Sequence, residues 1–327
     1  MAPDWQRVNN GGIRVSHLVR GSFGLPLVGG SHSSRGVVLF SSPDDSSLGV
    51  VLEGGPLVAL TACSSALAVT ADGAVHYIDD PAAWGRATVR TERLPLAPSG
   101  ASPVMAWATT GDSEARLVLA YPAPDGFELW VVGVGLGGEL TPMDTTLVAT
   151  DLDHVRVTSH EGVVVVAGPV ADDVREATGC RVWLCPDPDF GEQEDWEELS
   201  LDPAPDDVSD ARDASVSWWL SGSVEGAPVV WGRELRAHEM PSLLLDPDHP
   251  VTCIARSPVG EDSLAVAVQA PDGPSLHWQD VEDWRTAQLP DGRLHRALWT
   301  PTYGEVPERV HAVVDGVHWS VDAAQLG

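Results

Sequence analysis

The chain has 327 residues, 43% of them apolar, and a net charge of -29 from 48 acidic and 19 basic residues. Every basic residue is an arginine, so chemistry that needs a lysine amine, such as a Schiff base or a P-loop phosphate site, is excluded. The acidic balance also argues against duplex nucleic acid as a partner, because phosphate contacts need a basic surface.

The first residues show no charged segment followed by an apolar core, so no signal peptide is predicted. The longest apolar stretches, such as the one that starts at Val163, are too short to cross a bilayer. We therefore expect a cytoplasmic protein without a membrane partner. No Cys-x-x-Cys pair occurs, and we expect free buried thiols rather than disulfides at the four cysteines, Cys63, Cys180, Cys185 and Cys253.

An aromatic residue recurs along the chain, each time at the end of a short segment that starts with glycine. The seven aromatic residues, 37 to 53 residues apart, are Phe40, Tyr77, Trp130, Trp183, Trp231, Trp278 and Trp319. Aspartate precedes the glycine in four of these segments, and Asp-Gly between two β-prone runs favours a tight hairpin. Each aromatic residue is therefore expected on a strand that follows a hairpin.

A repeat of this length with three or four short strands is typical of a propeller blade. The sequence thus predicts an all-β fold, a seven-bladed β-propeller of four-stranded blades that forms a single domain over residues 1–327. The recurring aromatic side chains are expected to fill the spaces between neighbouring sheets.

The segment "DWQRV" at residues 4–8 resembles "DWEELSL" from Asp195 and "DWRTAQL" from Asp283. Only eight residues follow Trp319, too few for a turn and a further strand. We therefore expect the N-terminal strand, around Trp5, to complete the last blade and to close the ring, which would remove two unpaired sheet edges.

Over its whole length the chain resembles the β-propeller superfamily. The stretch "LVALTACSSALAVTADGAVHYID", residues 57–79, is similar to one unit of the chromosome-condensation-regulator propellers. The chain is WD40-like without the Gly-His and Trp-Asp signatures of WD40 repeats, and it lacks the sialidase box. The resemblance implies the propeller fold and no specific family.

Propellers commonly place binding sites at the mouth of the central channel, and this analogy of fold guides the choice of candidate residues. Aligning the ends of the innermost predicted strands puts Arg20, Arg256 and Trp299 at comparable positions, with His160 nearby. His295 and Arg296 start the last of these strands and complete the candidate ligand site. The arginines either form a cationic funnel for a carboxylate, a phosphate or an acidic peptide, or pair with acids of the chain.

No metal site or cofactor is predicted. The acidic stretch from Asp187 to Asp195 departs from the calcium-loop spacing and reads as a solvated connection. Since no nucleophile motif is present either, we expect a non-catalytic interaction module that presents loops to a protein partner or a small anionic ligand. The alternative is a lyase, hydrolase or cyclase of a small anionic substrate, which would use Arg20, Arg256 and His160 or His295.

Overall fold

Short β-strands form almost all the regular structure, as the Val-, Leu- and Ala-rich runs of the sequence predict. The computed structural model describes residues 3–21, 25–41, 47–62, 65–79, 88–93, 104–110, 114–123, 126–134, 140–142, 147–150, 154–160, 163–169, 180–185, 196–214, 217–232, 235–238, 240–249, 251–255, 264–280, 283–302 and 306–326. Within them, no helix is long and apolar enough to span a membrane.

Residues 1–92 and 244–327 form one compact unit, and residues 93–243 form another. The strands of the first unit come from both parts of the chain. In the first part they are β1 (Gln6–Arg7), β2 (Arg14–Arg20), β3 (Pro26–His32), β4 (Arg35–Ser41), β5 (Ser47–Val51), β6 (Leu57–Ala62), β7 (Ser65–Thr70), β8 (Ala74–Asp79) and β9 (Val89–Arg93).

The described residues of the unit 93–243 form thirteen further strands. They are β10 (Val104–Thr110), β11 (Glu114–Ala123), β12 (Gly126–Val134), β13 (Leu140–Pro142), β14 (Leu147–Thr150), β15 (Arg156–His160), β16 (Val163–Pro169), β17 (Cys180–Cys185), β18 (Glu197–Leu199), β19 (Asp207–Ala214), β20 (Ser217–Val224), β21 (Ala227–Trp231) and β22 (Ala237–His238).

The last part of the chain returns to the first unit and ends in a 3-10 turn over Ala323–Gln325. Its strands are β23 (Thr252–Ile254), β24 (Ala265–Ala270), β25 (Gly273–Asp280), β26 (Asp283–Gln288), β27 (Leu294–Thr300), β28 (Arg309–Val314) and β29 (Val317–Asp322).

Consecutive strands pair antiparallel and form separate small sheets. The first unit has the orders β2-β3-β4-β5, β6-β7-β8-β9, β23-β24-β25-β26 and β1-β29-β28-β27. The second unit has β15-β16-β17-β18, β19-β20-β21-β22 and β10-β11-β12-β13, with β14 also paired to β12.

The prediction of seven four-stranded blades is wrong. The described residues form six four-stranded blades, and the remaining sheet, β10 to β14, has five strands. Its outer position is divided, because β13 pairs with Val132–Val134 of β12 and β14 pairs with Gly126–Leu129. The strand β12 has nine residues, long enough to carry both short partners.

The N-terminal strand completes the last sheet, as predicted. In the antiparallel pairing of β1 with β29, Gln6 lies opposite Ser320 and Arg7 lies opposite Trp319. The last sheet therefore combines three strands from residues 294–322 with one from the start of the chain.

Two further hydrogen bonds hold this N-terminal segment. The indole Nε1 of Trp5 donates to the carbonyl oxygen of Gln288 on β26, at 2.9 Å. The backbone N–H of Val8 donates to the carbonyl oxygen of His318 on β29, also at 2.9 Å. The Trp5 ring packs against the apolar core beneath it, so the segment contacts two sheets of the first unit.

The recurring aromatic residues pack in the core, which confirms their predicted role. Phe40, Trp183, Trp231 and Trp278 are buried, and the partly buried Trp319 packs against the same core cluster as Trp278. Tyr77 is half-buried. The side chain of Trp130 lies outside the described residues.

The predicted hairpin at Asp315-Gly316 is present as a two-residue loop between the paired residues Val314 and Val317. Both loop residues have positive φ, 52° and 75°, which is the backbone that Asp-Gly favours. Cys253 and Cys180 are free thiols, as predicted. The side chains of Cys63 and Cys185 lie outside the described residues.

Buried histidines precede three of the repeated aromatic residues and link strands within their sheets. The ring of His76 reaches Thr70 Oγ1 at 3.1 Å and Thr91 Oγ1 at 2.9 Å. The ring of His277 lies 2.8 Å from Oγ of Ser275 on its own strand, β25, and 3.0 Å from Oγ1 of Thr286 on β26. His76 thereby joins β8 to both of its neighbours, β7 and β9, whereas His277 joins β25 to β26.

In the last sheet His318, which precedes Trp319 on β29, is paired with a second histidine, His311 of β28. Nδ1 of His311 lies 3.1 Å from Nε2 of His318, and the hydroxyl of Thr300 lies 3.3 Å from Nε2 of His311. Since that hydroxyl donates to the carbonyl of Arg309, Nε2 of His311 donates to it. Nδ1 of His311 then accepts from His318, whose own Nδ1 has no hydrogen-bond partner among the described residues.

Candidate functional site

The candidate residues from the sequence divide between opposite ends of β2 and β27. Arg20 ends β2, and Trp299 is the penultimate residue of β27. His295 and Arg296 lie at the start of β27. At about 3.3 Å per residue, Trp299 lies roughly 13 Å along the strand from His295. His295 and Arg296 therefore lie at the opposite end of β27 from Trp299.

Trp299 belongs to the core. It is 5% exposed, and its indole Nε1 donates to Oε1 of Glu308 at 2.6 Å. Its ring meets the ring of Trp278 edge to face, with centroids 5.9 Å apart, a favourable arrangement of aromatic pairs. Packing and this hydrogen bond account for the side chain.

The structure describes the remaining candidate residues only in part. Arg256 and the acidic stretch from Asp187 to Asp195 lie outside the described residues. His160 ends β15 in the unit of residues 93–243, and its side chain is also outside the description. Arg20 is half-buried and interacts with another residue of the chain.

His295 lies in a group of cationic side chains, which we call the arginine cluster: Arg14, Arg293, His295 and Arg296. Burial lowers the pKa of His295, and the positive charges of Arg293, Arg14 and Arg296 lower it further. Asp315 opposes them by raising this pKa. Because a lowered pKa leaves the imidazole neutral near pH 7, the positive charge of the cluster comes from its guanidinium groups.

The Asp315-Gly316 hairpin brings the two strand starts together. The backbone N–H of Arg293 donates to Oδ1 of Asp315, and the N–H of Asp315 donates to the carbonyl oxygen of Arg293. On the other side, the N–H of Val15 donates to the carbonyl oxygen of Gly316. Backbone hydrogen bonds therefore fix the starts of β27 and β2 on either side of one turn.

Two glycines make this approach possible. A Cβ at Gly316 would lie 2.8 Å from Cγ of Arg14, and the positive φ of 75° is itself unfavourable for other residues. A Cβ at Gly292 would lie 2.2 Å from Oδ2 of Asp315. Glycine at both positions lets Arg14 and Asp315 pack against the turn backbone.

The charge of Arg296 also acts on His17 of β2. Nε2 of His17 donates to the carbonyl oxygen of Val58 at 3.2 Å, so Nδ1 accepts from the hydroxyl of Ser16 at 2.8 Å. Burial lowers the pKa of His17 to about 4, with a further contribution from the charge of Arg296. His17 is therefore neutral near pH 7, and the positive charge of this region comes from the arginines.

The arginine cluster can bind an anionic group. Guanidinium groups donate paired hydrogen bonds that match the oxygens of a carboxylate or a phosphate. In a chain with a net charge of -29, such a region offers local attraction to an anion that the rest of the surface repels. The described residues include no group of three or more His, Cys, Asp and Glu side chains that could hold a metal ion.

Sequence reasoning found His295 and Arg296 but missed Arg14 and Arg293. Both missed residues come just before the predicted inner strands, so a search restricted to strand residues passes over them. A usable signal is the glycine that comes shortly before each arginine, in "GIR" ending at Arg14 and "GR" ending at Arg293. Glycine next to a strand start marks a turn, and turns bring residues from distant segments together.

Comparisons with known proteins give the fold but no family. No family model matches the chain, and no curated protein matches it. Among solved structures, Raptor from Chaetomium thermophilum aligns with a TM-score of 0.63 and 11% identity over 98% of this chain, which spans 29% of the Raptor chain. The WD40 repeats of RRP9 align with a TM-score of 0.61 and 11% identity, over 98% of this chain and 99% of that one.

BBS1N, solved in complex with ARL6DN, aligns with a TM-score of 0.54 and 11% identity over all of both chains. The chain has a β-propeller fold. The sheet pattern and these alignments agree on this point, and the fold is all that identities of this size establish.

Proposed function

We propose that this propeller is a non-catalytic interaction module whose arginine cluster binds an acidic segment of a partner protein. The observation that carries the proposal is that Arg14 and Arg293 meet at the Asp315-Gly316 turn, close to Arg296 at the start of β27, in a chain that is otherwise strongly acidic. Carboxylates of a partner would form charge-assisted hydrogen bonds with guanidiniums of this cluster.

Propellers of similar architecture supply further support. The BBS1N structure contains a protein partner, ARL6DN, so this fold serves there in a protein complex. The enzyme alternative needs Arg20 and Arg256 to converge with His160 or His295 at one channel mouth. Arg20 and His295 lie at opposite ends of their strands, which counts against a site built on that histidine. Arg256 and the side chain of His160 lie outside the described residues.

The test is a binding measurement with a labelled peptide of alternating glutamate and serine, compared with a matched peptide of glutamine and serine. We expect the acidic peptide to bind preferentially, and binding to weaken at high salt. The double variant Arg293→Gln, Arg296→Gln is expected to lose about ten-fold in affinity, since a hydrogen bond to a charged group contributes about 1.5 kcal/mol or more.

The matched control is the double variant Arg90→Gln, Arg285→Gln. It removes the same charge from the outer strands β9 and β26 and should retain the wild-type affinity. Equal losses in both double variants would reduce the effect to net charge and would contradict the proposal. Failure of the acidic peptide to bind the wild-type chain would contradict it as well.

A further inference from the structure

The outer strand β5 differs from the other outer strands of its unit. It is the terminal strand of the sheet β2-β3-β4-β5 and has the uncharged sequence Ser-Leu-Gly-Val-Val. The outer strands β1, β9 and β26 each contain arginine. Charged residues commonly protect sheet edges from pairing with other chains, and β5 has none.

The apolar side chains of β5 are unusually exposed. Leu48 is 46% exposed and Val51 is 58% exposed, on opposite faces of the strand because side chains alternate. Val50, which lies on the same face as Leu48, is buried and packs the strand against the core. The strand is therefore fixed to its sheet while it presents apolar surface on both faces.

The backbone of β5 is oriented to accept another strand. The N–H of Leu52, just after β5, donates to the carbonyl oxygen of Gly36 at 2.8 Å. Because backbone groups of alternate residues point to opposite sides of a strand, those of Val50 also face β4. The N–H and C=O groups of Gly49 and Val51 then face away from the sheet.

A groove of about 480 Å³ lies over the face of β4 and β5 that carries Val37, Leu39 and Val51. Apolar side chains of Ile13, Val37, Leu39 and Val51 line it. Gly49 contributes no side chain, which leaves the groove open at its middle. The polar lining residues are Asn10, His32 and Arg35.

Arg35 and His32 lie at one end of the groove. His32 and Arg35 are paired across the β3-β4 hairpin, and both are exposed. Val51 pairs with Val37, two residues after Arg35, so this end adjoins the C-terminal end of β5. The groove therefore combines an apolar floor with positive charge at one end.

We infer that β5 binds an extended segment of a partner protein by strand addition. The segment has apolar side chains at alternate positions and a carboxylate that lies beside Arg35. Strand addition supplies main-chain hydrogen bonds, and pockets for alternate side chains supply specificity. A second copy of this chain fits less well, because β5 itself contains no acidic residue to face Arg35 and two chains of charge -29 repel each other.

This site goes beyond the proposed function, since it shares no residue with the arginine cluster. The test starts from a displayed library of random peptides that are long enough to pair with all five residues of β5. The strongest selected peptide is then the probe. We expect it to alternate apolar residues and to contain an acidic residue.

The decisive readout is amide hydrogen exchange at single residues. Strand addition should protect the N–H groups of Gly49 and Val51 in the complex, because these groups face the added strand. The variant Val51→Pro removes one of these donors, and Arg35→Gln removes the charge without altering the backbone. Each should weaken binding of the peptide by about ten-fold. Both variants should keep the wild-type melting temperature, which would show that they are folded.

The controls are Arg90→Gln, on the neighbouring outer strand, and the double variant in the arginine cluster, Arg293→Gln with Arg296→Gln. Both should bind the peptide like the wild type, so failure of this inference and failure of the proposed function are distinguishable. Binding without protection of Gly49 and Val51 would overturn strand addition. So would a library that yields no binder, or a dimer of the chain that Val51→Pro dissociates.

Discussion

The outer strands β1 and β5 occupy the same place in their sheets but differ in almost every other respect. β1 has two residues, comes from the opposite end of the chain to its partner β29, and is held by hydrogen bonds of its flanking residues Trp5 and Val8. β5 has five residues, follows β4 directly, and leaves Leu48 and Val51 exposed.

This difference shows that an outer strand can serve either stability or recognition. β1 contributes to stability because it joins two sheets and completes one of them. β5 needs no such anchoring, because a short connection already ties it to β4, and its outer edge remains accessible.

The largest expected effect comes from deleting residues 1–9. The variant loses the β1-β29 pairing, the hydrogen bond of Trp5 and the packing of its ring, together on the order of 5 kcal/mol of unfolding free energy. For a unit of this size the melting temperature should fall by about 10 °C, as measured by calorimetry. An unchanged melting curve would refute a stabilising role for β1.

Acid is expected to weaken the sheet that β1 completes. Burial lowers the pKa of His318 to about 4, and burial beside His318 and Arg309 lowers the pKa of His311 further. Protonation would turn two N–H groups of this pair toward each other.

The direction of this pH effect on stability follows from the linkage between proton binding and unfolding. The unfolded chain binds a proton on His318 from about pH 6.5 downward and the folded chain only near pH 4, so this contribution to stability is complete above pH 6.5 and is lost as the pH falls. The lowered pKa of His311 acts in the same direction. His318 alone accounts for about 1.4 kcal/mol at pH 5.5. His318→Gln should flatten the fall in melting temperature between about pH 7.5 and pH 5.5, whereas the exposed His249→Gln should not. If the melting temperature falls equally steeply with pH in both variants, the pH effect does not come from His318.

The smallest effect is expected for Trp5→Phe, which keeps an aromatic ring but removes the donor to Gln288. The loss should be about 1 kcal/mol, the net contribution of a typical hydrogen bond. Denaturant titration measures it. Trp319→Phe is the comparison, and if it costs as much as Trp5→Phe, ring size rather than the hydrogen bond would explain the loss.

The sequence predicted those features that depend on local patterns repeated along the chain. The aromatic residues and Asp-Gly turns recur because each sheet has the same packing problem, so one pattern indicates all of them. The position of β1 was predictable for the same reason: its Asp-Trp start matches that of β26, another outer strand.

Contacts between distant segments that are not marked by a repeated sequence pattern were not predictable. The short strands β13 and β14 pair with different parts of β12. Their sequences do not indicate which part each one pairs with, so this arrangement could not be predicted. Arg14 and Arg293 come together only because two glycines allow a third segment, the Asp315-Gly316 turn, to lie between them. The edge of β5 was missed because exposure of Leu48 and Val51 is a property of the folded sheet.

The pairing of β1 with β29 has a consequence for protein synthesis. Trp5 and its acceptor Gln288 are 283 residues apart in the chain, and β29 follows later still. A ribosome makes β1 long before its partner exists, so the last sheet can be completed only after translation has passed β29. A chain truncated anywhere before that point leaves β1 without its partner, and proteases and chaperones that survey new proteins would meet it as an exposed strand.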